Sequence, residues 1–350
     1  MSTDIATPLL HWFDRHGRKD LPWQTRPDPY RIWVSEIMLQ QTQVATVIPY
    51  YYRFLERFPD IASLACASQD EVLHLWTGLG YYARGRNLHK AAQAIVSDHG
   101  GTFPQDLNTV CTLPGIGRST AAAILAFAYG QRHPILDGNV KRVLTRYHAL
   151  EGWTGKRDVE LNLWQRAEQH TPTTRIQDYT QAIMDLGATL CRRSKPQCAR
   201  CPLAATCRAH AQGNAEAYPT PKPRKALPQK FTSMIMIRNQ HGHVLLQQRP
   251  PAGIWGGLWG FPECGPDSDA DTWCRETLGI AVAMETPWPS LRHSFTHFHL
   301  HITPIPARLL GASGKIMEPA GTVWYNLSLP DARGLAAPVK NLLERLRCNA

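Results

Sequence analysis

The chain changes character at residues 209–229, AHAQGNAEAYPTPKPRKALPQ, where prolines at 219, 221, 223 and 228 stand among basic residues without apolar periodicity. Proline removes a backbone donor and fixes φ, so this stretch builds neither a helix interior nor a central strand. It reads as a basic, semi-extended linker. Upstream, apolar residues recur at helical spacing in HLWTGLGYYARGRNLHKAAQAI and NVKRVLTRYHAL, which predicts an all-α half from Pro8 to about Ala188. Downstream, FTSMIMIRNQHGHVLLQQRP predicts two strands around a His-Gly turn, and HSFTHFHLHITPIPARL alternates as another strand. A chain of 350 residues is long enough for two cores. The expected organisation is a helical domain over 1–208, the linker, and an α+β domain over 230–350.

A formal charge of +10 and a pI near 9.3 favour a polyanionic partner, nucleic acid before an anionic membrane surface. The longest apolar run, Ala121 to Tyr129, is too short to span a bilayer, so no membrane association is expected. The start MSTDIATPLLHWFDRHGRKD lacks the features of a secretory signal, and a reducing cytoplasmic setting is expected, nucleoid-associated in a bacterium. There, nine cysteines argue against a disulfide framework.

Three stretches of the helical half carry chemistry. In LPGIGRSTAAAILAFAY, residues 113–129, helix-start signals converge on an alanine-rich run. Gly115 and Gly117 allow close backbone approach, and the free amides of a helix start suit an anion such as DNA phosphate, although a tight interhelical turn explains the glycines equally well. In HPILDGNVKRVL, Asp137 precedes a helix whose positive end favours an ionised carboxylate; a plain N-cap is the alternative. In RIWVSEIMLQQTQVATVIPYYYRF, apolar on nearly all sides, Glu36 is either paired with a basic residue such as Arg31 or desolvated toward the pKa of a general acid.

Together VSEIMLQQTQV, WTGLGYYARGRNLHKAA, LPGIGRSTA and LDGNVKR resemble, in order, the motifs of the MutY-type adenine DNA glycosylases of the helix-hairpin-helix superfamily. The resemblance implies hydrolysis of the bond joining adenine to deoxyribose in duplex DNA, where adenine lies opposite 8-oxoguanine or guanine. Glu36 would then protonate the flipped base, Asp137 would stabilise the oxocarbenium-like sugar, and Asn139 would support it. Gln40, Gln41 and Tyr81 match positions that enter the duplex, although helix-surface packing also explains such residues. Ser119 stands where strand-nicking relatives hold a lysine, which implies a monofunctional enzyme. Nothing shows the nearby Lys141 aimed at the sugar. A glycosylase for oxidised pyrimidines and a non-catalytic DNA-binding module are the competing readings. A monomer is expected.

CRRSKPQCARCPLAATC spaces Cys191, Cys198, Cys201 and Cys207 with six, two and five residues between them. The spacing suits a four-iron cluster, with zinc as the alternative. The resemblance names a [4Fe-4S] cluster held by the 191–207 loop. WGGLWGFPECGPDSDADTWCRETLGI resembles the Nudix fold, but Thr277 and Leu278 stand where further acids would hold magnesium, so a binding rather than hydrolytic domain is expected. By the resemblance, Phe295, Thr296 and His297 would recognise 8-oxoguanine, with Thr296 where the family has serine. A solvated strand face, rather than zinc, is expected for His299 and His301.

Overall fold

The computed structural model describes residues 4–25, 27–223, 226–310 and 321–348. Arg224 and Lys225 of the expected linker lie outside the described residues. The chain forms two compact units, one of residues 1–66 and 87–224 and the other of 67–86 and 225–350.

The helices of the N-terminal half are α1 (Ala6–His16), α2 (Pro29–Leu39), α3 (Val44–Arg57), α4 (Ile61–Cys66), α5 (Gln69–Trp76), α6 (Ala83–His99), α7 (Leu107–Thr112), α8 (Arg118–Tyr129), α9 (Gly138–His148), α10 (Arg157–His170) and α11 (Ile176–Thr189). Among the described residues this half holds no strand, as its 3.6-residue periodicity requires. Helix α2 begins where its pattern says it should: Asp28 accepts the Arg31 amide at 3.0 Å and Pro29 fills the first turn. Six consecutive residues of α8, Ala121 to Ala126, are buried. The four alanines among them let α8 pack against α2, α7 and α11. The core of this unit joins Leu9 and Phe13 of α1, Val140, Val143 and Leu144 of α9, and Ala182, Ile183 and Leu186 of α11.

The stretch read as a linker is fastened to the helical unit over much of its length. It begins within α12 (Arg208–Ala211); Arg146 then donates to the Tyr218 carbonyl at 2.9 Å, and the Gly152 amide donates to Thr220 at 3.1 Å. Prolines here exclude regular structure without excluding attachment.

Among the described residues the second unit is built on an eight-stranded sheet. Its strands are β1 (Gln229–Arg238), β2 (Val244–Gln248), β3 (Trp259–Gly260), β4 (Glu263–Cys264), β5 (Val282–Met284), β6 (Leu291–Ser294), β7 (His299–Leu309) and β8 (Thr322–Tyr325). The short α13 (Ala270–Trp273) lies between β4 and β5 in sequence, and α14 (Ala337–Cys348) follows β8. The main order is β3-β2-β1-β7-β5, with β1 parallel to β7. The stretch expected as one strand from His293 is a hairpin, because the Phe295 amide donates back to the Phe298 carbonyl at 2.9 Å and turns the chain between β6 and β7. His301 hydrogen-bonds Gln229 at 2.7 Å and His299 bonds Ser294 at 2.8 Å, so both half-buried histidines are engaged rather than simply solvated.

Residues 67–86 belong to this unit although they precede the linker by more than a hundred positions. Trp259 donates to Asp70 at 3.0 Å, Tyr82 donates to the Leu335 carbonyl at 3.0 Å, and Arg86 donates to the Gly256 carbonyl at 2.6 Å. Amphipathic side chains of this kind bury their bodies and send their polar tips to partners far along the chain.

Candidate active site

Glu36 and Asp137 line one cleft of about 1,010 Å³ in the helical unit, together with Gln40, Gln41, Ser119 and Asn139. Helices α2, α3, α8, α9 and α11 all contribute to its lining. Helix α2 supplies Glu36 from its apolar interior, α8 supplies Ser119 from its first turn, and α9 presents Asp137 as its N-cap.

Glu36 keeps part of its surface open to the cleft yet sits deep enough for burial to dominate its chemistry. Burial first, and then the nearby charge of Asp137, pushes its carboxyl up to about 8. Asp137 accepts the Val140 amide at 2.7 Å and the Asn139 side-chain amide at 3.1 Å. These bonds and the charge of Arg142 favour the carboxylate, but burial is the largest influence and carries its pKa above the ordinary value. The N-cap position therefore does not hold Asp137 below the usual carboxylate range, as the helix-start argument alone suggests. Two carboxyl groups in one desolvated site cannot both be readily ionised, and Glu36 is strongly biased toward the neutral form.

Asn139 is itself held. Arg142 donates to its Oδ1 at 2.8 Å, to the Gly187 carbonyl at 2.7 Å and to the Cys191 carbonyl at 2.7 Å. A Cβ on Gly187 would stand 2.6 Å from that of Asn139, so α11 can approach α9 here only with glycine. A continuous set of hydrogen bonds thus runs from the backbone of the cysteine loop to the Asp137 carboxylate.

The turn before α8 separates its two glycines. Gly115 has φ +80° and an added Cβ would meet that of Asn87 at 2.7 Å, so the fold itself requires glycine. Gly117 has φ −87° with open space around it; nothing within the chain demands glycine there, and its exposed surface is free for a partner. Gln40 donates to Thr120 at 3.3 Å, and Gln41 adopts a left-handed φ of 57° at the cleft. Tyr81 belongs to the other unit, where it is exposed, has φ +46° and lies beneath the Arg84 guanidinium. Lys141 is paired with Glu160 at 2.6 Å and is not part of the cleft lining.

Sequence reasoning passed over Arg18, Trp23 and Gln181, which also line the cleft. Buried Asp185 holds Arg18 through its amide and guanidinium, and Gln181 donates to the same carboxylate at 2.7 Å. Gln181 and Asp185 are polar residues four apart on the buried face of α11, a legible signal; Arg18 lies in a loop with none.

Cys191, Cys198, Cys201 and Cys207 line a second, small cavity with Arg146 and Leu203. Arg146, buried, donates to the Cys191 sulfur at 3.3 Å and to the carbonyls of Arg192 and Arg193 at 2.7 and 3.0 Å. Burial pushes the Cys201 thiol up to about 12, with smaller contributions from the other three sulfurs. Among the described residues no three His, Cys, Asp or Glu side chains stand in a metal-holding arrangement. The four sulfurs nevertheless share one apolar cavity, where free thiolates are unfavourable and a cationic metal centre would supply the missing charge.

In the second unit, Phe295 is half-buried at the β6–β7 turn, while Thr296 and His297 are exposed at its tip and bonded to each other at 3.3 Å.

Residues 34–169 match the family described as HhH-GPD superfamily base excision DNA repair protein, and residues 233–345 match the NUDIX domain. The fold and the cleft define a helix-hairpin-helix repair enzyme with a Nudix-like second domain. The chain is 41% identical to the adenine DNA glycosylase of Buchnera aphidicola subsp. Acyrthosiphon pisum over 97% of both chains. It is 34% identical to the Homo sapiens adenine DNA glycosylase over 92% of this chain and 70% of that one. A thermostable thymine-DNA glycosylase structure superposes with a TM-score of 0.55 at 26% identity, covering 59% of this chain and 95% of the other. The chain belongs to the adenine DNA glycosylase family.

Proposed function

We propose that the protein excises adenine from duplex DNA where it lies opposite 8-oxoguanine or guanine, and leaves an abasic site without nicking the strand. The observation that carries this reading is the pair of carboxyl groups in one cleft, with Glu36 up at about 8 and Asp137 bonded by Val140 and Asn139. Flipped adenine enters the cleft. Neutral Glu36 donates its proton to ring nitrogen N7, which makes the base a competent leaving group. As the glycosidic bond breaks, the Asp137 carboxylate stabilises the positive sugar, and water then captures it. Asn139 holds that carboxylate in place. Arg18 and Gln181, fixed through Asp185, are the polar groups available to orient the base.

The turn at 113–117, with exposed Gly117 and the free amides of α8, grips backbone phosphate, and Gln40, Gln41 and Tyr81 fill the space the base vacates. Ser119 places a hydroxyl, not an amine, in the cleft, and Lys141 is held by Glu160, so no Schiff base forms. Cys191, Cys198, Cys201 and Cys207 hold a [4Fe-4S] cluster, which would stiffen the basic 191–207 loop. Phe295, Thr296 and His297 read the opposite base. The domains are the helical 1–208, of which residues 67–86 group with the second unit, and the Nudix-like 230–350, acting as a monomer in the cytoplasm.

The test is a duplex carrying A opposite 8-oxoguanine, incubated with the protein and divided. Cleavage only after hot alkali is the expected result. Cleavage without alkali sinks the monofunctional assignment, and no alkali-labile site sinks the whole reading.

A further inference from the structure

Behind the turn at 295–298 stands a residue with no assigned role. Trp255 is buried in a loop between β2 and β3, and its φ of 53° lies in the left-handed region that bulky side chains avoid. Such a conformation persists only where the surroundings impose it. Here they do so from several directions. Arg249 donates through Nε to the Ile254 carbonyl at 2.9 Å, lays its guanidinium 5.7 Å from the Trp255 ring centre and is anchored by Glu263. The Leu258 amide donates to the Trp255 carbonyl at 3.0 Å. Gly256 has no room for a Cβ, which would stand 2.5 Å from the Pro251 carbonyl oxygen.

The indole held in this way is the floor of an aromatic cluster. Its ring lies 5.4 Å from His293 and 5.4 Å from Phe295. His293 meets Phe295 edge-on at 4.8 Å, and Phe295 stacks on Phe298 at 4.4 Å. Burial pushes His293 below its ordinary pKa and so favours the neutral ring. Phe295 thus touches the cluster with its ring while its backbone closes the turn that carries Thr296 and His297 outward.

We propose that Trp255 is a positioning residue for opposite-base recognition: its ring fixes Phe295, and through it the exposed Thr296–His297 tip. The inference rests on the reading that this turn meets the base opposite adenine. Trp255 touches no reacting atom, so its removal acts on discrimination between opposite bases and leaves the chemical step alone.

Trp255→Gly suits the test because glycine adopts the left-handed φ without strain, so the indole is lost without forcing a new side chain into that backbone conformation. Single-turnover adenine excision is measured opposite 8-oxoguanine and opposite guanine for wild type, Trp255→Gly, Trp255→Phe and Trp288→Ala, the last a tryptophan packed under Arg345 in the same unit. The expected result is a loss of about tenfold in the preference for 8-oxoguanine in Trp255→Gly, from lost pre-organisation of the contact, with the rate opposite guanine within about twofold of wild type. Trp255→Phe restores most of the preference and Trp288→Ala never loses it. A Trp255→Gly protein with undiminished preference overturns the proposal. So does an equal fall of both rates, which makes the tryptophan a general structural residue. Phe295→Ala combined with Thr296→Ala separates the two levels: if that double variant keeps full preference, the reading of the turn itself falls, and the role of Trp255 falls with it.

Discussion

The Ser119 hydroxyl accepts a hydrogen bond from the Leu136 amide at 2.8 Å, tying the first turn of α8 to the residue before Asp137. The serine therefore does more than leave out an amine: it satisfies a backbone donor at the start of the segment that delivers the carboxylate.

Ser119→Ala strands that amide, and stability should fall by about 1–2 kcal/mol, read by urea unfolding. Ser119→Lys loses the same bond but brings an amine into the cleft lining. It should trap covalently to DNA under borohydride and nick the strand, in a Lys141→Ala background that removes any contribution from that side chain. Excision without trapping or nicking would mean that position 119 does not face the sugar.

The Glu36 proton sets the pH dependence. Excision should fall above about pH 8 as the Glu36 proton is lost, with the slope of a single deprotonation, and should fall again at acid pH as the Asp137 carboxylate takes up a proton. Stability follows the same sign. The native carboxyl holds its proton more tightly than an unfolded one, so its contribution is full below the ordinary value of 4.5 and is lost as pH rises through about 8. Glu36→Gln cannot ionise. It should show no such loss between pH 5 and 9 and should lose excision; a parallel pH dependence of stability in the two proteins would contradict the assignment.

Arg142 joins Asn139 to the Gly187 and Cys191 carbonyls through a planar fork that lysine cannot reproduce. Arg142→Lys should lower single-turnover excision by about 10- to 100-fold, as loss of a supporting contact to a reacting group does elsewhere. Affinity for an uncleavable duplex should change far less. An unaltered excision rate would show that Asp137 is set by its N-cap bonds alone.

The proposed cluster, four thiolates around iron, predicts a brown protein with broad visible absorbance and iron and sulfide on analysis. Cys201→Ser should bleach it and lower its melting temperature. Zinc without iron in anaerobically prepared protein would replace the cluster assignment and leave the glycosylase reading untouched.

His148 and His170 stack in the helical unit with ring nitrogens 2.8 Å apart, both buried. Burial, then the charges of His170, Arg166 and Arg208, push His148 down to about 4. A depressed imidazole gives a contribution that is full above the ordinary 6.5 and lost as pH falls toward 4, at most about 3 kcal/mol. His148→Phe should flatten unfolding free energy across that window; an unchanged acid slope would place the titration elsewhere.

The local pattern of the chain determined its two kinds of secondary structure, because the 3.6-residue and two-residue periodicities on either side of the proline-rich stretch are properties of neighbouring residues. Glu36 was legible for the same reason: a carboxylate inside an apolar helix is a conflict that needs an explanation. Asp137 was legible as a helix start, but its raised pKa was not, because burial is set by α2, α8 and α11 closing around it. The partners of Ser119, Arg142 and Arg18 lie 17, 49 and 167 residues away, beyond any local rule. Trp255 was silent in sequence, since a strained backbone angle has no composition. Residues 67–86 read as one more helical stretch, and it is long-range contacts, among them the hydrogen bonds of Asp70, Tyr82 and Arg86 to residues 170–253 positions away, that group them with the sheet. Sequence specifies which side chains carry a charge, a ring or a bend; which of them meet is decided when burial makes an unpartnered polar group too costly to leave alone.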